Sequence, residues 1–200
     1  QSVPFGVAQM GKSFRNEINP RNFTFRSREF EQMELEYFIR PDEAVELLCG
    51  SVAELTPETD LSEPREDWGW EVWHKYWVEQ RKIWYQDVGL PAESLVEYWQ
   101  PRDELAHYAR ACVDIQYAFP FGVQELEGIA ARGAFDLTQH QIHSGKSQEV
   151  FDEPLKLAAA KLDDAARDAF RERTVAAWTA QGRDPEAARA FVNHLFEGKY

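Results

Sequence analysis

Residues 4–38, PFGVAQMGKSFRNEINPRNFTFRSREFEQMELEYF, constrain the fold more than any other part of the chain. Apolar and polar residues alternate on both sides of a polar break at residues 19–22, which predicts two antiparallel strands joined by a loop. Side chains two residues apart on a strand share a face, so Ser13, Arg15 and Glu17 form one row of the first strand. The second strand has a polar row of Arg26, Arg28, Phe30, Gln32 and Glu34, and an apolar row, expected to face the core, of Phe23, Phe25, Met33, Leu35 and Tyr37.

The polar rows of this hairpin have the composition of a nucleotide site. Arginines on both strands present planar guanidinium groups that bind phosphate oxygens in pairs, and Phe30 offers a ring on which a base can stack. The carboxylates of Glu17 and Glu34 can accept hydrogen bonds from an amine or an ammonium group. The residues alone leave open an alternative, a solvated strand face with cross-strand ion pairs.

Three segments of the chain resemble one enzyme family. They are FRNE at 14–17 followed by the spacing R-x-x-x-F-x-x-x-E at Arg26, Phe30 and Glu34, ELAHYARACVDIQYAFPFG at 104–122, and ELEGIAARGAFDL at 125–137. The first resembles motif 2 of the class II aminoacyl-tRNA synthetases, and the surrounding GKSFRNEINPRNF and REFEQMELEYF are similar to glycyl-tRNA synthetases in particular. The resemblance extends over residues 3–140 and keeps the three segments in the family's order.

This resemblance implies an α+β fold, with an antiparallel β-sheet of the class II synthetase type, flanking helices and a helical C-terminal insertion. Residues 1–144 are expected to form part of the catalytic core and residues 145–200 the insertion. The implied activity is the ATP-dependent ligation of glycine to tRNA(Gly) through a glycyl-adenylate, with ATP and Mg²⁺ as cofactors. A cytoplasmic location and a homodimer of the full-length protein are implied as well.

The resemblance also implies site residues. The ATP-binding set is Arg15, Asn16, Glu17, Phe25, Arg26, Ser27, Arg28, Glu29, Phe30, Glu125 and Leu126, and the glycine-binding set is Phe30, Glu31, Gln32, Met33, Glu34 and Arg132. The loop residues Asn19, Pro20, Arg21 and Asn22 are expected to reach the acceptor end of the tRNA. Glu125 is expected to bind Mg²⁺ through ATP. Gly133 and Ala134 stand where the family usually has Thr-Asp, which weakens the case for Arg132.

Residues 113–119 and 124–130 read as two further strands, joined by a turn at Pro120-Phe121-Gly122. Alternation on the second of them places Glu125, Glu127 and Ile129 on one face. Two acids beside a cleft could bind Mg²⁺. The alternative is that this is an exposed edge strand, whose charged side chains prevent pairing with another strand.

Helical periodicity predicts helices over residues 42–50, 67–88, 154–181 and 185–198, with a helical turn beginning at Asp103. The second helix carries Trp70, Trp73, Trp77 and Trp84 at helical spacing. Large aromatic residues at this spacing are typical of a packed face, so we interpret them as core.

The composition of the chain limits the kinds of partner that it can bind. A formal net charge of -13 argues against DNA binding and against a general nucleic-acid surface, so any RNA contact must be local. No apolar run is long enough to span a bilayer, and Cys49 and Cys112 are expected to be reduced, buried thiols.

The chain begins with Gln1 and carries no sequence resembling motif 1, motif 3, the upstream glycine-binding segment or an anticodon-binding domain, so it reads as a fragment of a longer protein. Two other functions stay open. One is a non-catalytic adenine-nucleotide-binding or regulatory module, and the other is a structural interaction protein built on the Trp-rich helix.

Overall fold

The computed structural model of the protein describes residues 2–22 and 25–200. Its elements are β1 (Phe5–Phe14), β2 (Glu29–Phe38), α1 (Asp42–Cys49), α2 (Trp70–Asp87), β3 (Leu95–Trp99), β4 (Ala109–Phe119), β5 (Gly122–Arg132), α3 (Phe135–Ser144), α4 (Glu153–Ala159), α5 (Asp164–Ala180) and α6 (Pro185–Phe196). The described residues form a mixed α+β structure in which β1 pairs with β2 and a separate antiparallel sheet has the order β3-β4-β5. In the described part of the chain, the strands therefore do not form the single antiparallel sheet that the resemblance implied.

The predicted hairpin is confirmed, with β1 and β2 antiparallel from Phe5 opposite Phe38 to Phe14 opposite Glu29. Its strands are shorter than expected. Four residues of the predicted polar rows therefore lie in the connection between β1 and β2: Arg15, Glu17, Arg26 and Arg28. The reason is local hydrogen bonding. The N–H of Glu17 donates to the carbonyl of Arg15 at 2.9 Å, and the Nε of Arg28 donates to the carbonyl of Glu17 at 2.9 Å. The backbone N–H and carbonyl of Glu17 are thereby withdrawn from the ladder, whereas the N–H of Arg15 still donates to the carbonyl of Arg28.

The apolar row of β2 is not a core face. Met33 is 58% and Leu35 is 45% exposed, whereas Tyr37 packs against Trp73 and Trp77 of α2 with ring centroids 5.2 and 5.0 Å apart. Helix α2 thus meets this row at Tyr37, beyond Met33 and Leu35. Phe23, assigned to the same row, lies outside the described residues.

A β-bulge in the β4–β5 pair changes which side chains share a face. Gln116 lies opposite Glu125 but Ile115 lies opposite Glu127, so Leu126 is an extra residue in β5. Glu127 therefore shares its face with the buried Ile115, and Glu125 points to the other side. The prediction that Glu125 and Glu127 share a face is wrong because alternation is interrupted between them.

Helix α2 buries Trp73 as predicted, whereas Trp70, Trp77 and Trp84 are half-buried. Trp73 is 6% exposed, Trp68 just before the helix is 2% exposed, and their rings lie edge to face at 5.1 Å. Val72 of α2 belongs to the same buried cluster as Trp68 and Trp73. Val78 of α2 and Val113 and Ile115 of β4 are also fully buried. The helix begins at Trp70 rather than at residue 67. The helical turn predicted from Asp103 is only a hydrogen-bonded turn.

The chain after residue 144 forms α4, α5 and α6 rather than one long helix followed by a last helix. Asp163 stops the predicted 154–181 helix, because its side chain caps α5 by accepting a 2.8 Å hydrogen bond from Ala166 N. The last helix is confirmed and is capped by Asp184. The core between these helices contains Ala44 of α1 together with Leu155, Phe170, Val192 and Leu195. Residues on both sides of the predicted 144/145 domain boundary thus share one core.

Candidate functional site

The connection between β1 and β2 places two of the predicted ATP-binding residues together. The guanidinium carbon of Arg15 lies 5.6 Å from the ring centroid of Phe30, a distance at which the cation and the ring attract each other. The N–H of Arg15 donates to the carbonyl of Arg28 at 3.0 Å, which holds the backbone of Arg15 beside the start of β2. Arg15 and Phe30 therefore form one surface although Arg15 has left the strand.

The same connection meets the other sheet at the β4–β5 turn. The ring of Phe25 lies 5.1 Å from that of Phe119 and 5.4 Å from that of Phe121, edge-on to both. Arg15 is close enough to Glu125 for its charge to favour the carboxylate form of Glu125. The predicted site residues from the hairpin and from β5 thus face one another across the two sheets.

Glu125 has a second carboxylate beside it. A Cβ atom added at Gly128 would lie 3.4 Å from Glu125 Oε1 and 3.5 Å from Asp114 Oδ1, so glycine leaves the space between the two acids open. Burial raises the pKa of Glu125, the charge of Asp114 raises it further, and Arg15 opposes both. Mutual repulsion of this kind is relieved when a cation binds between two carboxylates.

Asp114 has two polar neighbours, Gln100 and Cys112. Gln100 Nε2 donates to Asp114 Oδ1 at 3.0 Å and to Oδ2 at 3.2 Å, which orients the carboxylate. Burial, together with the charges of Asp114 and Glu125, raises the pKa of Cys112 to about 11. Cys112 is therefore a neutral thiol near pH 7. The ligands that Asp114 and Glu125 offer to a metal ion are carboxylate oxygens.

The donor set fits Mg²⁺, which prefers a few carboxylate oxygens together with water and phosphate oxygens. Within residues 2–22 and 25–200, no group of three or more His, Cys, Asp or Glu side chains is arranged to bind a metal. Glu127, the second acid expected here, instead accepts hydrogen bonds of 2.9 Å from Arg81 Nε and from Tyr85 Oη of α2. Its role is to join α2 to the sheet.

The residues predicted to bind glycine lie on two faces of β2. Phe30, Gln32 and Glu34 share the face of Ser13, Gly11 and Gln9, while Glu31 and Met33 lie opposite Lys12 and Met10 on the reverse face. Glu34 is exposed and accepts a 3.1 Å hydrogen bond from Gln9 Nε2. The run 30–34 therefore does not line a single surface.

Arg132 lies at the far end of β5 from Glu125, about 20 Å along the strand at the usual rise per residue. Its guanidinium carbon lies 4.6 Å from the ring centroid of Tyr108, and its Nη1 lies 3.4 Å from Asp136 Oδ2. The structure does not bring Arg132 to the acid pair.

The remaining predicted site residues lie in or beside the connection. Ser27 Oγ donates to the carbonyl of Glu29 at 2.9 Å, and the side chain of Glu29 pairs with Lys12. Arg21 and Arg26 form an isolated antiparallel bridge. Asn16, Asn19, Pro20, Arg21, Asn22 and Arg26 are exposed.

Sequence reasoning missed Asp114, Gln100 and the aromatic residues of the β4–β5 turn. Residues 113–119 gave a clear strand signal, but nothing in that signal marks a bulge in the neighbouring strand. Without the bulge, Asp114 and Glu125 cannot be recognised as partners. Phe119 and Phe121 were read only as strand and turn residues.

The chain is similar to glycine–tRNA ligases from several bacteria. It is 45% identical over 197 residues to the enzyme of Thermus thermophilus, a match that covers 98% of this chain and 30% of the relative. It is 44% identical over 153 residues to that of Cutibacterium acnes, covering 75% of the chain and 27% of the relative. The match to that of Rhodopirellula baltica is 46% identical over 142 residues, covering 69% of the chain and 22% of the relative. The chain thus spans less than a third of the length of these curated relatives, and no protein-family model matches it.

Proposed function

We propose, from the homology of this chain to a segment of bacterial glycine–tRNA ligases, that it forms part of the catalytic region of such an enzyme, of class II. The proposed reaction joins glycine to tRNA(Gly) through a glycyl-adenylate made from glycine and ATP. The observation that carries the proposal is the packing of Phe25 against the β4–β5 turn, which brings the surface formed by Arg15 and Phe30 to the sheet that carries Glu125. Under this proposal the whole enzyme works in the cytoplasm as a homodimer.

The proposed ATP site uses the surface that Arg15 and Phe30 form. Phe30 would stack on the adenine, and Glu17 would accept a hydrogen bond from the adenine amine. Arg15 would bind the α-phosphate, where negative charge grows as the carboxylate of glycine attacks and pyrophosphate leaves. Arg26 and Arg28 are further candidates for phosphate contacts. Stabilisation of developing charge by fixed donors is the main catalytic contribution expected of such residues.

Asp114 and Glu125 are the residues that would hold Mg²⁺ at the phosphates. The bound ion would supply positive charge to the pyrophosphate leaving group. Gln100 would keep Asp114 oriented towards that position, because it donates to both of its carboxylate oxygens.

Glycine would bind with its ammonium group near Glu34, on the face that Glu34 shares with Phe30. The two residues are four positions apart, which corresponds to about 13 Å along a strand and matches the distance from the adenine to the α-phosphate end of ATP. The exposed loop at Asn19, Pro20, Arg21 and Asn22 would contact the acceptor end of tRNA(Gly).

The proposal is tested by replacing the matching segment of the Thermus thermophilus ligase with this chain and measuring glycine-dependent ATP–pyrophosphate exchange. Exchange by the chimera, and its absence without glycine, is the expected result. A non-catalytic adenine-nucleotide-binding module would bind ATP in the chimera without supporting exchange. ATP binding without exchange, in a chimera with a normal circular dichroism spectrum, would contradict the proposed function.

A further inference from the structure

The middle of the β4–β5 pair is out of step with its two ends. Near the turn and again at the far ends of the strands β4 and β5 keep one register, whereas residues 111–115 and 127–131 between them pair with a shift of one residue. An extra residue marks each border of this shifted segment, Leu126 in β5 and Arg110 in β4. The two extra residues cancel, so the strand ends would also fit a pairing without any bulge. The shifted segment therefore needs contacts of its own to hold its register.

The shift decides which residue of β5 lies opposite Asp114. In the shifted segment that residue is Gly128, and the space above Gly128 lies between the carboxylates of Asp114 and Glu125, the acid pair. In the register of the strand ends, Glu127 would lie opposite Asp114 instead and would bring a third carboxylate into this space. Like charges directly opposite each other on a sheet are destabilising. The shift thus exchanges an acid for a glycine and leaves room for a cation between two acids.

Helix α2 contacts the shifted segment of β5 through polar side chains. Glu127 accepts hydrogen bonds of 2.9 Å from Arg81 Nε and from Tyr85 Oη, and His74 Nε2 lies 2.8 Å from the carbonyl oxygen of Ile129. The three residues of α2 are seven and four positions apart, so they lie along one face of the helix. Both contacts fall within the shifted segment.

The contact with Glu127 favours the shifted register over the other one. In the register of the strand ends, Leu126 would lie opposite the buried Ile115 and beneath α2, in the place of Glu127. A leucine cannot accept the hydrogen bonds of Arg81, which is 22% exposed, and of Tyr85, which is 9% exposed. Leaving largely buried donors without acceptors is unfavourable, so the helix selects the register in which Glu127 faces it.

We propose that Arg81 and Tyr85, acting through Glu127, are positioning residues for the acid pair. Their contact holds the middle of β5 in the shifted register, which places Gly128 opposite Asp114 and keeps the space for a cation open. They act on this space through the position of the strand, because Glu127 points to the opposite face. That the cation is Mg²⁺ rests on the proposed function, whereas the register does not depend on it.

The register can be measured directly, because Cys112 is one of the paired residues. It lies opposite Ala130 in the shifted register and would lie opposite Ile129 in the register of the strand ends. Directly opposite residues of an antiparallel pair have Cα atoms about 4.5 to 5.5 Å apart, within the range for a disulfide. The 200-residue chain with Cys49→Ser and Ala130→Cys is oxidised with diamide, and the intramolecular disulfide is measured by mass spectrometry. It should form, whereas Ile129→Cys in place of Ala130→Cys should give none.

The double variant Arg81→Met with Tyr85→Phe removes the contact and leaves the sequence of β5 unaltered. In this background we expect the disulfide to move from position 130 to position 129. Tyr85→Phe alone, which takes away one hydrogen bond at nearly unchanged shape, should lower the yield at position 130 and keeps the test decisive if the double variant does not fold. Glu127→Gln should retain the disulfide at position 130, because its amide oxygen still accepts from both donors.

Lys82→Met is the matched control for loss of a cation from α2. Lys82 is half-buried like Arg81, but its carboxylate partner is Glu97 of β3, at 2.6 Å. This variant removes an ion pair between α2 and the same sheet without touching β5. It should leave the disulfide at position 130 unchanged.

The second measurement is the Mg²⁺ requirement of glycine-dependent exchange by the ligase chimera. The double variant should raise the Mg²⁺ concentration for half-maximal exchange about tenfold, since loss of a residue that orients a metal ligand costs on that order in affinity. It should leave the KM for glycine unchanged. A contact that only stabilises the fold would lower the amount of active enzyme and change neither concentration dependence.

Three results would overturn the proposal. They are no disulfide at position 130 in the chain with α2 unaltered, the same yield at position 130 in the double variant, and a moved disulfide with an unchanged Mg²⁺ requirement. Because the oxidation needs neither glycine, ATP nor Mg²⁺, the register test can fail while exchange by the chimera succeeds, and the reverse.

Discussion

Asp152 joins the helices after residue 144 to the strand that carries Phe30, and its substitution should destabilise the fold. Its side chain is 7% exposed and lies 2.8 Å from Arg40 Nε, two residues beyond β2, where Arg40 is 19% exposed. It also accepts a hydrogen bond of 2.9 Å from Tyr200 Oη and one of 3.3 Å from Leu155 N at the start of α4. The substitution Asp152→Asn keeps the shape and the cap but removes the charge.

We expect Asp152→Asn to lower the free energy of unfolding by about 3 kcal/mol, since breaking a buried ion pair leaves an uncompensated charge and costs 3 to 5 kcal/mol. The lower end of that range applies because Arg40 retains some contact with water. Tyr200→Phe should cost about 1.5 kcal/mol, the usual contribution of a hydrogen bond to a charged group. Adding Arg40→Met to Asp152→Asn should cost less than the sum of the two single losses, because the pair is already broken.

Urea unfolding followed by circular dichroism measures these losses, and its pH dependence gives an independent check. Burial alone would raise the pKa of Asp152, but hydrogen bonds from Arg40 and Tyr200 outweigh it, so the pKa lies below its usual value. The ionised carboxylate therefore stabilises the fold above the unfolded pKa of about 3.9, and this stabilisation is lost as the pH falls through the lower folded value. Asp152→Asn should show a smaller loss of stability over that acidic range. A loss under about 1 kcal/mol at pH 7 together with an unchanged acid response would refute the argument, because a buried pair costs more than that.

Three further outcomes are expected of the ligase chimera. Arg15→Ala should slow glycine-dependent exchange about a hundredfold, the effect of removing one donor to a developing charge, and Arg15→Lys should recover little; normal exchange in Arg15→Ala would exclude this residue, and Arg65→Ala is the exposed-arginine control. Glu34→Gln should raise the KM for glycine much more than the KM for ATP, whereas equal changes would make Glu34 structural. Asp114→Asn should raise the Mg²⁺ concentration needed for half-maximal exchange, and an unchanged Mg²⁺ requirement would exclude the acid pair as its site. The 200-residue chain alone should bind ATP weakly at best and show no aminoacylation, so measurable exchange by it would contradict the expected role of segments outside it.

Much of the hairpin could be predicted from the sequence, because strand alternation and turn residues are local properties. The antiparallel pairing of residues 5–14 with 29–38 follows from the alternation on both sides of the polar break. The aromatic packing of α2 and the caps at Gly50 and Asp184 follow from equally local signals. These features depend on residues close together in the chain, so the spacing of residue types is enough to predict them.

The exposure of Met33 and Leu35 could not be predicted, because an apolar row indicates a face that can be buried and not what covers it. In the same way, the sequence predicted one helix over residues 154–181, whereas Asp163 finds Ala166 N and starts a new helix there. Helical periodicity alone does not show this break, because it depends on the hydrogen bond between the Asp163 side chain and Ala166 N.

The residue types of the candidate site are a property of the sequence alone: arginines and a phenylalanine around a hairpin, and a glutamate at the start of a later strand. Their arrangement was decided by the tertiary structure. One extra residue at Leu126 turns Glu125 away from Glu127 and towards Asp114, and the contact of Phe25 with the β4–β5 turn brings the two sheets together. A bulge depends on the partner strand, and a contact between distant segments depends on packing. The spacing of residues within one segment gives no signal for either.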